Sequence, residues 1–432
     1  MKKVAFYTLG CKVNQYETEA MEELFEKRGY KIVDHNEEAD IYVINTCTVT
    51  NLGDRKSRQF MRRAKKKNKE SIIVAVGCYS QVAPKEVEEI EGVDIVIGTT
   101  DRNRIVDLCE EAKNNNKKIN IVKEIRHHKE FEKLNIVDLK HKTRAYIKIQ
   151  EGCNQFCSYC IIPYARGPIR SRALEDIVYE SKRLARVGFK EIILTGIHVT
   201  SYGKDLNDLT LIDVIEEISK IKGIERIRLS SIEPTFIDEE FMQRAVRTKK
   251  LCDHFHLSLQ SGSDTVLKRM NRKYTTDEYK NIVNLIREYM PNAGITTDII
   301  VGFPGETNKE FNQTYNFVKD IHFSRIHVFK YSPRKGTPAS KFKNQIHGNI
   351  KHNRSEKLIN LGEELIISFN EQNMYKTLQV LFEEGNNGYM EGYTTNYIRV
   401  KAEAGDEVKG KILPVKIMDK ENDILIGKIE EL

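Results

Sequence analysis

The chain lacks any apolar run near the roughly 18 residues that would cross a bilayer as a helix, although it is 432 residues long. Its N-terminus, MKKVAFYTLGCKVN, has only a short apolar stretch. An acidic amphipathic segment follows it, with no small-residue cleavage site. Both absences argue against a membrane partner or a secretory leader, so the expectation is a cytoplasmic protein. Thiols stay reduced there, and a cysteine pattern signifies metal or catalysis more often than disulfides. Acid is locally missing too. From Arg55 to Lys69 the sequence RKSRQFMRRAKKKNK carries nine basic residues and no Asp or Glu, against a net charge of only +7 overall. Such runs are usually solvated helix faces. Arg55, Lys56, Arg58, Arg62 and Arg63 are nevertheless candidates for RNA contact, because the run begins eight residues after Cys47.

The most informative absence is a fourth ligand. Six of the eight cysteines fall into two sets of three. Cys153, Cys157 and Cys160 form C-x₃-C-x₂-C. Cys11, Cys47 and Cys78 are scattered, but each closes an apolar β-like run: VAFYTLGC, IYVINTC and IIVAVGC. Closed iron–sulfur and structural zinc cages take four ligands. Two incomplete sets therefore suggest two metal centres, each with an open position. Cys109 and Cys252 lack partners at ligand spacing and read as structural.

Residues 1–100 alternate strand (3–9, 41–46, 72–77, 94–97) and helix (14–29, 51–68, 84–91), which reads as parallel α/β. Right-handed crossovers put all strand C-termini on one sheet edge, where ligands of open α/β sheets bind. Cys11, Cys47 and Cys78 each follow a strand end, so they are expected to converge. A weakly patterned stretch, about 111–142, reads as a linker with an extended piece. His127 and His128 within it are possible ligands, with a charged connector the plainer reading. From Thr143 six strand–helix units follow, with strands near 143–150, 191–196, 226–231, 254–259, 295–303 and 325–332. Six units rather than eight suggest a partial (βα)₆ barrel. A helical stretch, roughly 350–374, leads to five short strands in 376–432, the size of a small antiparallel β-barrel. From Asn370 to Leu432 there are eight Lys/Arg and twelve Asp/Glu, which counts against a simple electrostatic RNA grip there. The expected domains are 1–125, a linker 126–142, a barrel 143–369 and a terminal β-barrel 370–432.

EGCNQFCSYCIIPYARG (151–167) follows the first barrel strand directly, so the second triad belongs at the mouth where barrel active sites lie. Zinc held by these cysteines and remote His198 is the competing reading. The spacing, with Tyr159 as the aromatic before the last cysteine, resembles the radical S-adenosylmethionine (SAM) signature. The resemblance implies a 4Fe–4S cluster on Cys153, Cys157 and Cys160, with SAM chelating the fourth iron and yielding a 5′-deoxyadenosyl radical after one-electron reduction. Further phrases extend it over essentially the whole chain: TLGCKVNQYETE (8–19), NTCTVTNLGDRKSR (45–58), GCYSQ (77–81) and DIIVGFPGET (298–307). Together they resemble the methylthiotransferase family, and within it the branch acting on N6-threonylcarbamoyladenosine in tRNA. The ribosomal-protein branch usually has a proline soon after the first cysteine, and here Cys11 is followed by Lys12, Val13 and Asn14.

The resemblance implies that Cys11, Cys47 and Cys78 hold a second 4Fe–4S cluster carrying a transferable sulfur. One SAM would serve as methyl donor and another as radical source, the terminal barrel would be a TRAM domain, and the partners would be tRNA at an anticodon-loop adenosine, a one-electron reductant and a sulfur donor. Around SAM the candidates are Tyr159, Gly196, Ser231, Glu233, Gln260, Ser261 and Asp298. Arg166 and Arg170 are candidates for phosphate or the SAM carboxylate. Methylthiolation of a ribosomal-protein side chain, and a non-enzymatic RNA-binding metalloprotein, are the alternatives.

Overall fold

The computed structural model describes residues 1–115, 117–134, 143–206 and 208–430. The chain forms two compact units from interleaved segments. The first comprises Met1–Lys140, Gln150–Arg172 and Ser332–Ser340, and the remainder forms the second.

The first unit is built on a parallel sheet of β1 (Lys3–Thr8), β2 (Lys31–Val33), β3 (Ile41–Thr46), β4 (Ile72–Gly77), β5 (Ile95–Ile97) and β6 (Ile119–Asn120), in the order β2-β1-β3-β4-β5-β6. Its strands are apolar on both faces, as a doubly covered sheet requires. Val4, Val43 and Val74 pack in one core with Met21 and Phe25 of α1 (Lys12–Lys27) and Leu108 of α5 (Ile105–Asn115). Ala5, Ile44 and Ala75 pack in the other with Met61 of α2 (Asn51–Lys67), Tyr79 of α3 (Cys78–Val82) and Val87 of α4 (Pro84–Glu88). The strand order reverses between β1 and β3, and ligands of doubly wound sheets bind at such a switch point, outside the strand C-termini.

The stretch near 111–115, read from sequence as the start of a linker, is instead the end of α5. Ile105, Leu108, Cys109 and Ala112 recur at helical spacing and are buried. β2 and β6 were absent from the sequence reading, being three and two residues long. Residues 135–142 of the expected linker lie outside the described residues.

In the second unit six strands follow one another: β7 (Arg144–Glu151, whose last two residues belong to the first unit), β9 (Glu191–Gly196), β10 (Arg226–Leu229), β11 (His254–His256), β12 (Gly294–Val301) and β13 (Arg325–Lys330). The short β8 (Arg170–Ser171), in the first unit, pairs with the end of β7. Sheets of β9 with β10, and of β11 with β12 and β13, are parallel. Single parallel bridges, Ile227–Leu251 and Ile232–Leu257, join the two sheets into an open arc of βα units. The terminal region closes a five-stranded barrel of β14 (Thr377–Asn386), β15 (Tyr389–Tyr393), β16 (Arg399–Glu403), β17 (Ile412–Glu421) and β18 (Ile424–Ile429), in the order β14-β15-β16-β18-β17. Arg228 of β10 ties it to the arc. It pairs with Glu191 at 2.7 Å and donates to the carbonyls of Thr394 and Thr395 at 3.0 and 2.9 Å.

The helix Asn308–Ile321 is fixed at its start by a capping box between Thr307 and Glu310. Glu310 also accepts from Thr265 at 2.6 Å and Arg269 at 2.8 Å. Burial opposes its ionisation, but the bonds from Arg269, Thr265 and Thr307 outweigh it and lower its pKa to about 2. A depressed carboxyl pKa stabilises the fold above the unfolded-state value, and that contribution is lost as pH falls toward the folded value. We expect Glu310→Gln to destabilise the chain by roughly 1–3 kcal/mol at neutral pH, with the gap to wild type closing between about pH 4.5 and pH 2 in thermal melts. A gap independent of pH would contradict this.

Candidate metal and cofactor site

The three scattered cysteines stand at the C-terminal ends of three adjacent parallel strands. Cys11 is the N-cap of α1 just after β1, Cys47 follows β3, and Cys78 opens α3 directly after β4. β1 and β3 flank the switch point, so the first two thiols lie where the sheet leaves a crevice. A Cβ added to Gly10 would stand 3.0 Å from the Cys47 sulfur, which shows how closely the two loops approach. Gly77 is needed on two counts. Its φ is +101°, and a Cβ there would come within 2.6 Å of Asn45 Oδ1 and 2.8 Å of the Thr46 carbonyl.

Burial pushes the Cys78 thiol up to about 12, with the Arg166 charge pulling the other way and Cys47 and Cys11 pushing further up. Cys47 is raised for the same first reason, and Cys11 adds to it. Cys47 and Cys78 are thus held protonated by burial, with Cys11 close enough to oppose their ionisation further. Binding iron would release their protons and remove that cost. The buried Ser80 hydroxyl and Asn45 Oδ1 beside them have no hydrogen-bond partner. Soft thiolates around unsatisfied buried polar atoms fit an iron–sulfur cluster. Among the described residues no three His, Cys, Asp or Glu side chains are gathered for a single ion.

The second triad lies in the same compact unit. Its loop is pinned at both ends. Cys153 N–H donates to the Gly167 carbonyl at 3.0 Å, and Ala339 N–H to the Ser158 carbonyl at 2.8 Å. Gly152, just before Cys153, has φ +73°, and a Cβ there would fall 1.8 Å from the Pro168 carbonyl oxygen. Cys157 is buried, while Cys153, Tyr159 and Cys160 are half-buried. Phe156 is 51% exposed and meets Tyr164 edge-on.

A network of charge, most of it buried, lies against Cys78 and reaches Glu151, two residues before Cys153. Arg166, the last residue of α6 (Ile162–Arg166), donates to Glu17 and Glu151 at 2.5 and 2.7 Å, and to Asn14 at 2.6 Å. Arg102 lies 2.6 Å from Glu17 Oε2 and 2.6 Å from Glu132 Oε2. Arg334 reaches Thr48 at 2.6 Å and Asp54 at 2.5 Å, so it braces the chain after Cys47. None of Glu17, Arg102, Glu132, Glu151 or Arg334 was singled out from the sequence. Asn14 and Glu17 had a usable signal, since they lie three and six residues after Cys11 inside the phrase TLGCKVNQYETE.

Two sequence expectations are corrected by burial. Arg166 is fully buried and Arg170 is 1% exposed, with Arg170 directed at the carbonyls of Pro168 and His128. Neither can meet a phosphate of RNA. Ser261 is fully buried, and its hydroxyl lies 3.2 Å from that of Thr314, so it braces a helix rather than facing a ligand. Of the α2 cations, Arg55, Lys56, Arg62 and Arg63 are exposed, while Arg58 is partly spent on Tyr79 and Glu86. His127 is exposed and His128 half-buried, on a turn.

The remaining candidates lie at strand ends of the second unit. Gly196 ends β9 and Ser231 is exposed just beyond β10. Glu233 pairs with Arg272 at 2.9 Å and lies 3.6 Å from His198. Its burial raises its pKa, but the His198 bond and the Arg272 charge win and hold it below the ordinary range. His198 also meets Ser201 at 2.6 Å. Gln260 holds a left-handed φ of +72°, with its N–H on the Asp298 carbonyl at 2.9 Å, and the Asp298 carboxylate lies 3.4 Å from His256.

Comparison with known proteins follows the same division. The Radical SAM superfamily profile matches residues 147–318, and the profile described as Uncharacterized protein family UPF0004 matches residues 3–98. The match over residues 147–318, which includes the three-cysteine loop, marks a radical-SAM enzyme. Among solved structures the chain resembles the radical S-adenosylmethionine methyltransferase TsrM from Kitasatospora setae, with cobalamin and a 4Fe–4S cluster bound. The TM-score is 0.58 at 14% identity, covering 78% of this chain and 77% of that one, a likeness of fold. Among curated relatives, threonylcarbamoyladenosine tRNA methylthiotransferase MtaB of Bacillus subtilis (strain 168) is 44% identical over 97% of this chain and 94% of its own. The protein of the same name from Aquifex aeolicus is 44% identical over 96% and 100%. The tRNA-2-methylthio-N(6)-dimethylallyladenosine synthase of Natranaerobius thermophilus is 38% identical over 99% and 97%. The chain belongs to the radical-SAM tRNA methylthiotransferase family, in its MtaB-type branch, and is a transferase. Among the described residues no helix is long and apolar enough to cross a membrane.

Proposed function

We propose that this enzyme methylthiolates C2 of the adenine of N6-threonylcarbamoyladenosine in the anticodon loop of tRNA. The reaction uses two SAM, two 4Fe–4S clusters, a one-electron reductant and a sulfur donor. The observation that carries the substrate assignment is the 44% identity, over almost the full length, to relatives named for that nucleoside. The convergence of Cys11, Cys47 and Cys78 at one sheet edge supports a second cluster.

Cys153, Cys157 and Cys160 hold the cluster that binds SAM, and Cys11, Cys47 and Cys78 hold the one that carries sulfur. When bound, these groups supply an electron to SAM and a transferable sulfur, which an unactivated aromatic C–H requires because acid–base catalysis has no purchase on it. The chain's own residues shape and shield the sites. Gly152 lets the signature loop turn against Pro168, Tyr159 flanks Cys160, and Glu233 with Gln260 and Asp298 offer polar groups at strand ends for SAM. The exposed Arg55, Lys56, Arg62 and Arg63 of α2 present a cationic face suited to tRNA phosphates.

Nucleoside mass spectrometry of tRNA from a strain lacking this chain tests the assignment. The 2-methylthio form of threonylcarbamoyladenosine should vanish, while its unmethylthiolated parent accumulates. Unchanged methylthio-adenosines would transfer the chemistry to a ribosomal-protein side chain, the reading supported by the acidic terminal barrel.

A further inference from the structure

Every donor of the Arg166 guanidinium is used. Nε–H donates to the Cys78 sulfur at 3.2 Å. Nη1 donates to Glu17 Oε1 at 2.5 Å and Glu151 Oε1 at 2.7 Å. Nη2 donates to Asn14 Oδ1 at 2.6 Å and Glu17 Oε2 at 3.0 Å. Five donors meeting five acceptors in a fully buried site make a fixed fork. Its backbone is held as firmly. Gly167 N–H donates to the Pro163 carbonyl at 3.0 Å, and Thr99 donates to the Ala165 carbonyl at 2.8 Å. The acceptors belong to both triads' supports. Glu151 lies two residues before Cys153. Asn14 lies three after Cys11, and its amide N–H₂ donates to the carbonyls of Leu9 and Thr46, which precede Cys11 and Cys47.

We infer that Arg166 is a positioning residue for the auxiliary cluster, its Nε–H on the Cys78 sulfur setting that cluster's reduction potential. The inference rests on the reading that Cys11, Cys47 and Cys78 hold a cluster. A reduced cluster carries one more negative charge than an oxidised one. A hydrogen bond to a ligating sulfur and a nearby cation therefore favour the reduced form and raise the potential. Arg166 supplies both at one sulfur. Its carboxylate partners keep it from swinging away, and Arg102, 2.6 Å from Glu17, keeps the pocket from excess negative charge.

The test uses the full chain carrying Cys153→Ala, Cys157→Ala and Cys160→Ala, so that the auxiliary cluster alone assembles. It is poised with mediators and read by electron paramagnetic resonance. R166K keeps a cation but loses the planar Nε–H. At a fixed poise we expect its reduced-to-oxidised ratio to fall at least tenfold, about 59 mV for one electron. The double variant R166Q/E17Q removes one charge of each sign, which guards against misfolding from an unpaired carboxylate, and should shift in the same direction. In the unsubstituted parent labelled with ¹⁵N-arginine, pulsed spectra of the reduced cluster should show a ¹⁵N coupling. Iron bound with unaltered potential in the variants, or no ¹⁵N coupling in the parent, overturns the inference alone. A parent that binds no iron overturns the two-cluster reading and the inference with it.

Discussion

Anaerobic reconstitution should load about eight irons per chain, and about four in either triple variant that replaces one cysteine set by alanine. The two remaining populations should differ in kind. The chain retaining Cys153, Cys157 and Cys160 should change its spectrum on adding SAM, while the chain retaining Cys11, Cys47 and Cys78 should not. The expectation rests on two donor sets built by different means. One is a local loop pinned by Gly152 and Gly167, and the other is assembled from three strand ends. Loss of all iron from either triple variant would show one shared site. Zinc alone would remove the radical chemistry altogether.

Arg102→Met should be the most destabilising single change in the first unit, by roughly 3–5 kcal/mol in urea denaturation of the apo chain. Arg102 is fully buried, and its guanidinium lies 2.6 Å from both Glu17 and Glu132. Its removal would leave the buried carboxylates of Glu17 and Glu151 on Arg166 alone and strip the half-buried Glu132 of its guanidinium partner. A buried charge stripped of its partner costs far more than the pair contributes. Combining Arg102→Met with Glu132→Gln should therefore restore part of the loss. A loss under about 1 kcal/mol, the size of an exposed pair, would place the network in solvent.

Much of the fold was legible because the chain repeats simple periodicities. Strands such as IYVINT and EIILTG are short apolar runs bounded by turns, and the helices between them carry amphipathic spacing. The five terminal strands were legible for the same reason. The two- and three-residue strands at 119–120 and 31–33 were not, because a run that short has no period. The end of α5 was hidden by AKNNNKK, whose polar residues mask a buried stripe over Ile105, Leu108 and Ala112.

The candidate site divides likewise. Cysteine spacing exposed the signature loop, and strand-end placement pointed to the scattered triad, because both signals reside in order along the chain. Long-range charge pairing does not. Glu132 reads as part of a charged connector, and Arg166 as a cation for phosphate or the SAM carboxylate, until folding pairs Glu132 with Arg102 and sets Glu17 and Glu151 on Arg166. The sequence by itself determined which residue types are available at each strand end and which side chains must be buried by pattern. Only the tertiary structure decided which buried charges neutralise one another. An arginine 88 residues from Cys78 donates to its sulfur because helix α6 packs against α3, the helix that Cys78 opens, and nothing in local spacing encodes that meeting.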